Sequence, residues 1–385
     1  MERELSVSPT LNTDKYCPLF WNSLALNATG AIKPCCRFME DPPAPQSLKP
    51  GDLEAALHST SFIAARQAVS EGLKVLACKR CHNEESSGIR SLRQTRLNPK
   101  AKTFHGLETS LQQIEFVEIF LGRECNLACH SCKPSLSTKW GAEFKKMGLP
   151  LETYKSFDYQ ELNLSSFESL KEVKFVGGET FINEQHLKVL ATIPIEQRRN
   201  LNIEYYTNAT RPIPQAWFDV WSEFKRVTIR FSIDGYGALN EYIRYPSQWS
   251  VIQENINNAV SKKREKIEFR VQTTVSVYNV FKYKEIVNWW EQVISTATNS
   301  IQPVKLNLLD EPSFMSLPVL KLAPKLLETI EMPAEWLRFI KNAEANPAQV
   351  ERLKNYTESL DKHRQLQVGR FVPELLDLFS EAKVM

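Results

Sequence analysis

The sequence predicts an α/β protein: a partial (β/α)6 barrel, preceded by a small cysteine-rich domain and followed by a helical extension. Three observations carry this. From about residue 115, short β-rich runs alternate with segments of helical length and pattern. Within those runs apolar and polar residues alternate. All eight cysteines lie at or before residue 132. The expected division is a cysteine-rich domain over 1–110, the barrel over 111–320 and the helical extension over 321–385.

A chain of 385 residues is long enough for one large domain and a smaller one. With 42% hydrophobic and 24% charged residues the composition is that of an ordinary globular protein, which excludes a wholly disordered or collagenous chain. Forty-eight Lys and Arg against 45 Asp and Glu leave a net charge of +3 without a long basic run. Charge therefore makes no case for a nucleic-acid or membrane partner. No apolar stretch reaches the length of a membrane span, and the opening MERELSVSPTLNTDK has no basic-then-apolar secretory pattern. A cytoplasmic protein is expected, and in that reducing compartment the cysteines read as metal ligands or redox groups rather than disulfides.

In chain order, the first segment holds Cys17, Cys35, Cys36, Cys78 and Cys81, with the proline-rich stretch 41–51 between them reading as an exposed connector. It has little apolar material for a core of its own, a situation in which metal ligation substitutes for burial. Six β-rich runs follow, at 116–121, 172–176, 202–207, 227–233, 267–275 and 304–309. The helical patterns at 183–193, 214–224, 248–263 and 280–293 are long enough to cross over between parallel strands. Trp289 and Trp290 fall in the last of these and read as core. After residue 320 the chain is mostly helical in pattern.

Parallel strands usually read as continuous apolar runs, but these alternate: Val227, Ile229, Phe231 and Ile233 with Thr228, Arg230, Ser232 and Asp234, and Ile267, Phe269 and Val271 with Glu268, Arg270 and Gln272. If the apolar set packs against the helices, the polar set lines a lumen, where charge is costly unless a polar ligand meets it. Arg230 and Arg270 there suggest an anionic group. Antiparallel strands with one wet face are the alternative.

The loop after the first run is Cys125-Asn-Leu-Ala-Cys129-His-Ser-Cys132. Three thiolates in one tight loop can hold three irons of a 4Fe-4S cluster and leave the fourth open, whereas structural zinc takes four protein ligands. The motif resembles that of the radical S-adenosylmethionine (radical SAM) enzymes, and Gly177-Gly178-Glu179 after the second run resembles the stretch that holds the methionine amino group of SAM in that family. The resemblance implies a SAM-binding 4Fe-4S cluster on Cys125, Cys129 and Cys132. It also makes Asn208, Ser232 and Asp234, at the ends of the third and fourth runs, candidates for the SAM ribose and carboxylate. Turn-forming and capping roles are the alternatives for those three. Ser131 stands where the family often has an aromatic residue. Arg244, in Glu-Tyr-Ile-Arg-Tyr-Pro, reads either as a SAM or substrate contact or as a surface helix start with a salt bridge.

Gly30-x4-Cys35 and Cys78-x2-Cys81, with Cys17, look like the ligand set of a Twitch or SPASM-type domain, which binds an auxiliary iron–sulfur cluster. Here it would precede the barrel rather than follow it. A zinc ribbon on the same four cysteines is the alternative, and Cys36 is left over or replaces Cys35. The resemblance implies reductive SAM cleavage and hydrogen-atom abstraction from a small-molecule or peptide substrate, with a second cluster passing electrons. An electron donor such as flavodoxin or ferredoxin is then implied. A non-catalytic iron–sulfur or zinc module, and a nucleic-acid-modifying enzyme of the same chemistry, are the competing classes.

Overall fold

The structure, a computed structural model, describes residues 16–27, 30–39, 49–97, 107–150, 161–182, 184–262, 264–295, 303–344 and 346–381. The expected connector lies outside these residues except for its last three, and the opening fifteen residues lie outside them entirely. Among the described residues eight strands form one sheet in the order β2-β1-β3-β4-β5-β6-β7-β8. They are β1 (Ser23–Leu26), β2 (Ile32–Lys33), β3 (Phe116–Phe120), β4 (Glu172–Val176), β5 (Asn202–Thr207), β6 (Arg226–Ser232), β7 (Ile267–Val275) and β8 (Lys305–Leu308). The six runs read from the sequence are β3–β8, each parallel to the next. The antiparallel alternative is therefore overturned for them.

The period of two explains why these segments settle as strands with a fixed register. On β5 the alternate residues Ile203, Tyr205 and Thr207 are buried, and Glu204 and Tyr206 between them are half-buried. The buried set of β3–β7 merges with helices Gln185–Ala191, Gln215–Trp221, Trp249–Ser261 and Tyr283–Ser295 into the largest core, which includes Phe175, Ile203, Val227, Trp221, Ile256 and both Trp289 and Trp290. Each fully buried side chain of this kind contributes roughly 1.5–3 kcal/mol.

The opposite face is polar, and it largely neutralises itself. Register places Glu118 beside Lys174 and Lys174 beside Glu204 across β3, β4 and β5. Lys174 pairs with Glu118 at 2.8 Å and Arg230 with Glu204 at 2.8 Å, while Arg270 pairs with Glu268 at 2.7 Å. The sequence expectation that Arg230 and Arg270 call for an anionic ligand is corrected here, because each already has a carboxylate from its own strand or the adjacent one.

The first segment is more ordered than its composition suggests. β1 pairs antiparallel with β2 and parallel with β3, so it extends the same sheet at its edge. Leu24, Leu26, Ile32, Leu53, Leu57 and Phe62 join the central core, which supplies the burial this segment lacks by itself. The C-terminal helices Ala334–Asn342, Pro347–Arg364 and Glu374–Glu381 pack into a second core with Val275, Tyr278 and Leu308, beyond the ends of β7 and β8. Among the described residues no helix is long and apolar enough to cross a membrane.

Candidate functional site

The loop 125–132 follows β3 and is fixed by its backbone rather than by its sulfurs. The amides of Ala128 and His130 donate to the carbonyls of Tyr245 and Ile243 at 2.6 and 2.8 Å. Four successive carbonyls accept from side chains: Leu127 from Ser137 Oγ (2.6 Å), Ala128 from Arg364 Nη2 (2.7 Å), Cys129 from Trp140 Nε1 (2.7 Å) and His130 from Tyr356 Oη (2.8 Å). A loop whose backbone groups are satisfied in this way does not depend on its thiols for its shape. Cys129 is buried, and Cys125 and Cys132 are half-buried. Burial, and then the neighbouring thiol of Cys129, push Cys125 up to about 11 and Cys132 up to about 12. Burial raises Cys129 as well, opposed by Arg244. Among the described residues no three Cys, His, Asp or Glu side chains form a group that could hold a metal ion.

The Gly177-Gly178 turn after β4 locks onto this loop. Both glycines have positive φ, +97° and +45°. A Cβ at Gly177 would stand 2.5 Å from the Phe120 ring, and one at Gly178 would stand 2.2 Å from the Glu124 carbonyl oxygen. The close approach read from the sequence is thus an approach to the protein's own β3 and its following loop. Glu179 extends the contact: its amide donates to the Glu124 carbonyl at 2.7 Å. Its carboxylate, 4% exposed, accepts from the amides of Phe181 (3.1 Å) and Asn208 (2.6 Å) and from Thr207 Oγ1 (2.6 Å). A carboxylate offers about four acceptor positions, so one remains after these three. Burial raises the Glu179 pKa, against the pull of those donors.

Asn208, after β5, reaches the loop directly. Its Nδ2 lies 4.0 Å from Cys125 Sγ and donates to Asn126 Oδ1 at 3.0 Å, while its Oδ1 accepts from the Thr210 amide and hydroxyl. Ser232 is half-buried at the end of β6, in register with Gln272. Asp234, 2% exposed, accepts from Thr274 N at 2.8 Å and from Arg244 Nη1 at 2.6 Å. Arg244, which caps the C-terminal end of helix Ala238–Ile243, therefore makes its ion pair inward with buried Asp234 and not at a surface helix start. Burial works against its charge, but Cys129, Asp234 and Cys125 together keep its pKa above the usual guanidinium value. Its Nε is buried with no hydrogen-bond partner.

The structure thus brings Cys125, Cys129, Asn208, Glu179, Asp234 and Arg244 to the C-terminal ends of β3–β6. Sequence reasoning missed the residues that hold the loop, Trp140, Tyr356 and Arg364. The last two come from a helix more than 200 positions away, and no local pattern marks them.

Cys17, Cys35, Cys78 and Cys81 lie near enough to influence one another electrostatically, although among the described residues no three of them form a group that could hold a metal ion. Burial raises Cys17, with Cys78 and Cys81 adding to it. Cys35 is raised by burial and then by Cys36, Cys17 and Cys78. Gly30 at φ +83° turns the chain before β2, which delivers Cys35 to this group. Cys36 turns the other way. Its thiol, on an exposed residue, faces Glu118 and Lys174 on the polar face of the sheet, where loss of water to the surrounding protein and then Glu118 push it up to about 11.

No protein-family model and no curated protein matches the chain. Among solved structures, native anSMEcpe with bound AdoMet is similar at a TM-score of 0.38 and 14% identity, over 66% of this chain and 62% of that one. Native anSMEcpe with bound AdoMet and Cp18Cys peptide gives 0.37 and 14%, with the same coverage. The chain spans less than two thirds of the length of these structures.

Proposed function

We propose that the chain is a radical SAM enzyme whose parallel strands form a partial (β/α)6 barrel. The supporting observation is the meeting of the three-thiol loop, the Gly-Gly-Glu turn, Asn208 and the Asp234–Arg244 pair at adjacent strand ends. Cavity-lining residues from both β1 and β8, six positions apart in the sheet, support the curvature a barrel needs.

The chemistry of the donor set, three cysteine thiols in one loop, suits a 4Fe-4S cluster with SAM. Buried thiols that repel one another as thiolates call for a cationic partner, and Cys125, Cys129 and Cys132 would hold the cluster. Bound together, cluster and SAM supply one-electron cleavage of a sulfonium and a species able to abstract hydrogen from substrate. Arg244, aimed by Asp234, offers its unpaired Nε to the SAM carboxylate. Glu179 fixes the Asn208 backbone and retains one acceptor position for the SAM ammonium, and Asn208 stands over Cys125. Ser232, with Asp234, is assigned to the SAM ribose side. Burial of the loop keeps water from the reacting atoms.

Cys17, Cys35, Cys78 and Cys81 would hold a second iron–sulfur cluster, in a Twitch-like domain over 1–110 beside the barrel (111–320) and the extension (321–385). That cluster would pass electrons while a small-molecule or peptide substrate is oxidised, with a flavodoxin- or ferredoxin-type donor reducing the first.

Anaerobic reconstitution, iron and sulfide counting and a 5′-deoxyadenosine assay with dithionite test this. The wild type should carry about eight irons and form 5′-deoxyadenosine. Replacing Cys125, Cys129 and Cys132 with Ala should remove about half the iron and all of that product. A fully iron-loaded wild type that forms none defeats the proposal.

A further inference from the structure

The polar face of the sheet lines a cavity of about 280 Å³, to whose wall Cys36 and Arg96 of the N-terminal segment also contribute. It belongs to the same face as the candidate centre. Glu204, on β5, precedes Asn208 just beyond that strand by four residues, which is about 13 Å at roughly 3.3 Å per residue.

Charge in this cavity is nearly balanced. Arg96 pairs with Glu172, Lys174 with Glu118 and Arg230 with Glu204. The remaining charged side chain on the wall is Lys305, at the start of β8. Among the described residues it makes no ion pair or hydrogen bond. Four cations face three carboxylates, so the lining carries one positive charge in excess. Lys305 is exposed, at the start of the edge strand β8, and lines the cavity, while nearby protein strips part of the water from its ammonium. Burial, then Arg230, with Lys174 and Arg37 adding, bring its pKa down to about 8 against the opposing pull of Glu204.

We propose that this cavity is the substrate site and that Lys305 pairs with a single carboxylate of a compact substrate or peptide side chain. The substrate role rests on the radical SAM reading; the anion site does not. One carboxylate neutralises the excess, whereas a phosphate dianion would leave a net negative charge. The volume lies just below the usual range of small-ligand pockets, about 300–1,000 Å³, and so selects a compact group. Lys305 supplies three donors on a flexible stem, suited to an end-on carboxylate.

Isothermal titration of the reconstituted full-length protein with butyrate, its neutral amide butyramide and inorganic phosphate tests the assignment. Butyrate should bind and butyramide should bind at least about tenfold more weakly, the loss expected for one charge-assisted hydrogen bond. Lys305→Met should weaken butyrate by a similar factor. Lys305→Glu should reverse the preference toward butylammonium, a gain that a merely misfolded variant cannot show. Equal binding of butyrate and butyramide, phosphate binding in place of butyrate, or an unchanged preference in Lys305→Glu overturns the proposal. The wild-type 5′-deoxyadenosine assay separately reads the radical SAM proposal, so either can fail alone.

Discussion

Replacing Gly178 with Ala should both destabilise the protein and disturb the thiol loop, and the structure separates the two causes. At Gly178 an added Cβ stands 2.2 Å from the Glu124 carbonyl oxygen and 2.8 Å from its carbon, at φ +45°. These are backbone atoms, so no side-chain rotation relieves the overlap. Gly72 provides the control: its φ is +70°, and nothing lies within 4 Å of an added Cβ. Gly72→Ala should therefore cost only the left-handed backbone penalty, about 1–2 kcal/mol. Gly178→Ala carries that penalty and must also push Glu124 away, which sacrifices the 2.7 Å hydrogen bond from the Glu179 amide. That bond is worth about 1 kcal/mol, and the displaced backbone adds strain, for a total of about 3–4 kcal/mol. Because Glu124 adjoins Cys125, the shift passes directly to the first thiol. Urea unfolding of both variants, with iron content after reconstitution, measures this. Equal stability losses in the two variants, with unchanged iron in Gly178→Ala, would refute the reasoning.

Two further outcomes follow from buried charges. Arg364 and Glu143 form an ion pair at 2.8 Å with side chains 1% and 7% exposed. Arg364→Ala should cost about 3–5 kcal/mol by leaving Glu143 unpaired, and adding Glu143→Leu should recover part of that loss in chemical denaturation. A double variant no more stable than the single would count against the pairing. Glu204 sets a pH dependence: burial raises its pKa, but Arg230 overrides this and holds it down to about 2. A carboxyl depressed in the folded state stabilises the fold above its unfolded pKa and loses that contribution as pH falls from about 4.5 toward 2, on the order of 2–3 kcal/mol. Acid unfolding of Glu204→Gln should lack this component. A wild-type acid transition identical to the variant's would contradict it.

Alternation of period two made β3–β8 legible, because a strand with one apolar and one polar face writes its register into adjacent residues. The cysteine loop and the Gly-Gly-Glu turn were legible for a related reason: spacing within a single loop or strand end is local. β1 and β2 were not. Ser23–Leu26 is only four residues, all buried, and such a run has no period to distinguish strand from helix. The role of Gly178 was half visible, since the sequence calls for a close approach but does not name Glu124 as what is approached. The polar face misled most. Alternation identified Arg230 and Arg270 as inward charges, but their neutralisation by Glu204 and Glu268 depends on which side chains meet across and along the strands. The cation left over, Lys305, emerges only once every pair has been assigned.

The C-terminal helix Pro347–Arg364 bears on the centre more directly than its distance along the chain suggests. Of the four consecutive carbonyls held in the thiol loop, two take their donors from this helix, Tyr356 and Arg364. Arg364 also stacks over Trp140 and Tyr245, which themselves bond the loop at Cys129 and Ala128. The guanidinium thus ties together the three chain segments that fix the thiols. Without the docked helix, the Ala128 and His130 carbonyls and the Glu143 carboxylate would be left buried and unpaired, each at a cost of about 1–3 kcal/mol or more. It follows that the loop reaches its final form only after residues 347–364 have packed against it. A thiol loop of eight residues after β3 is therefore completed by a helix near residue 360.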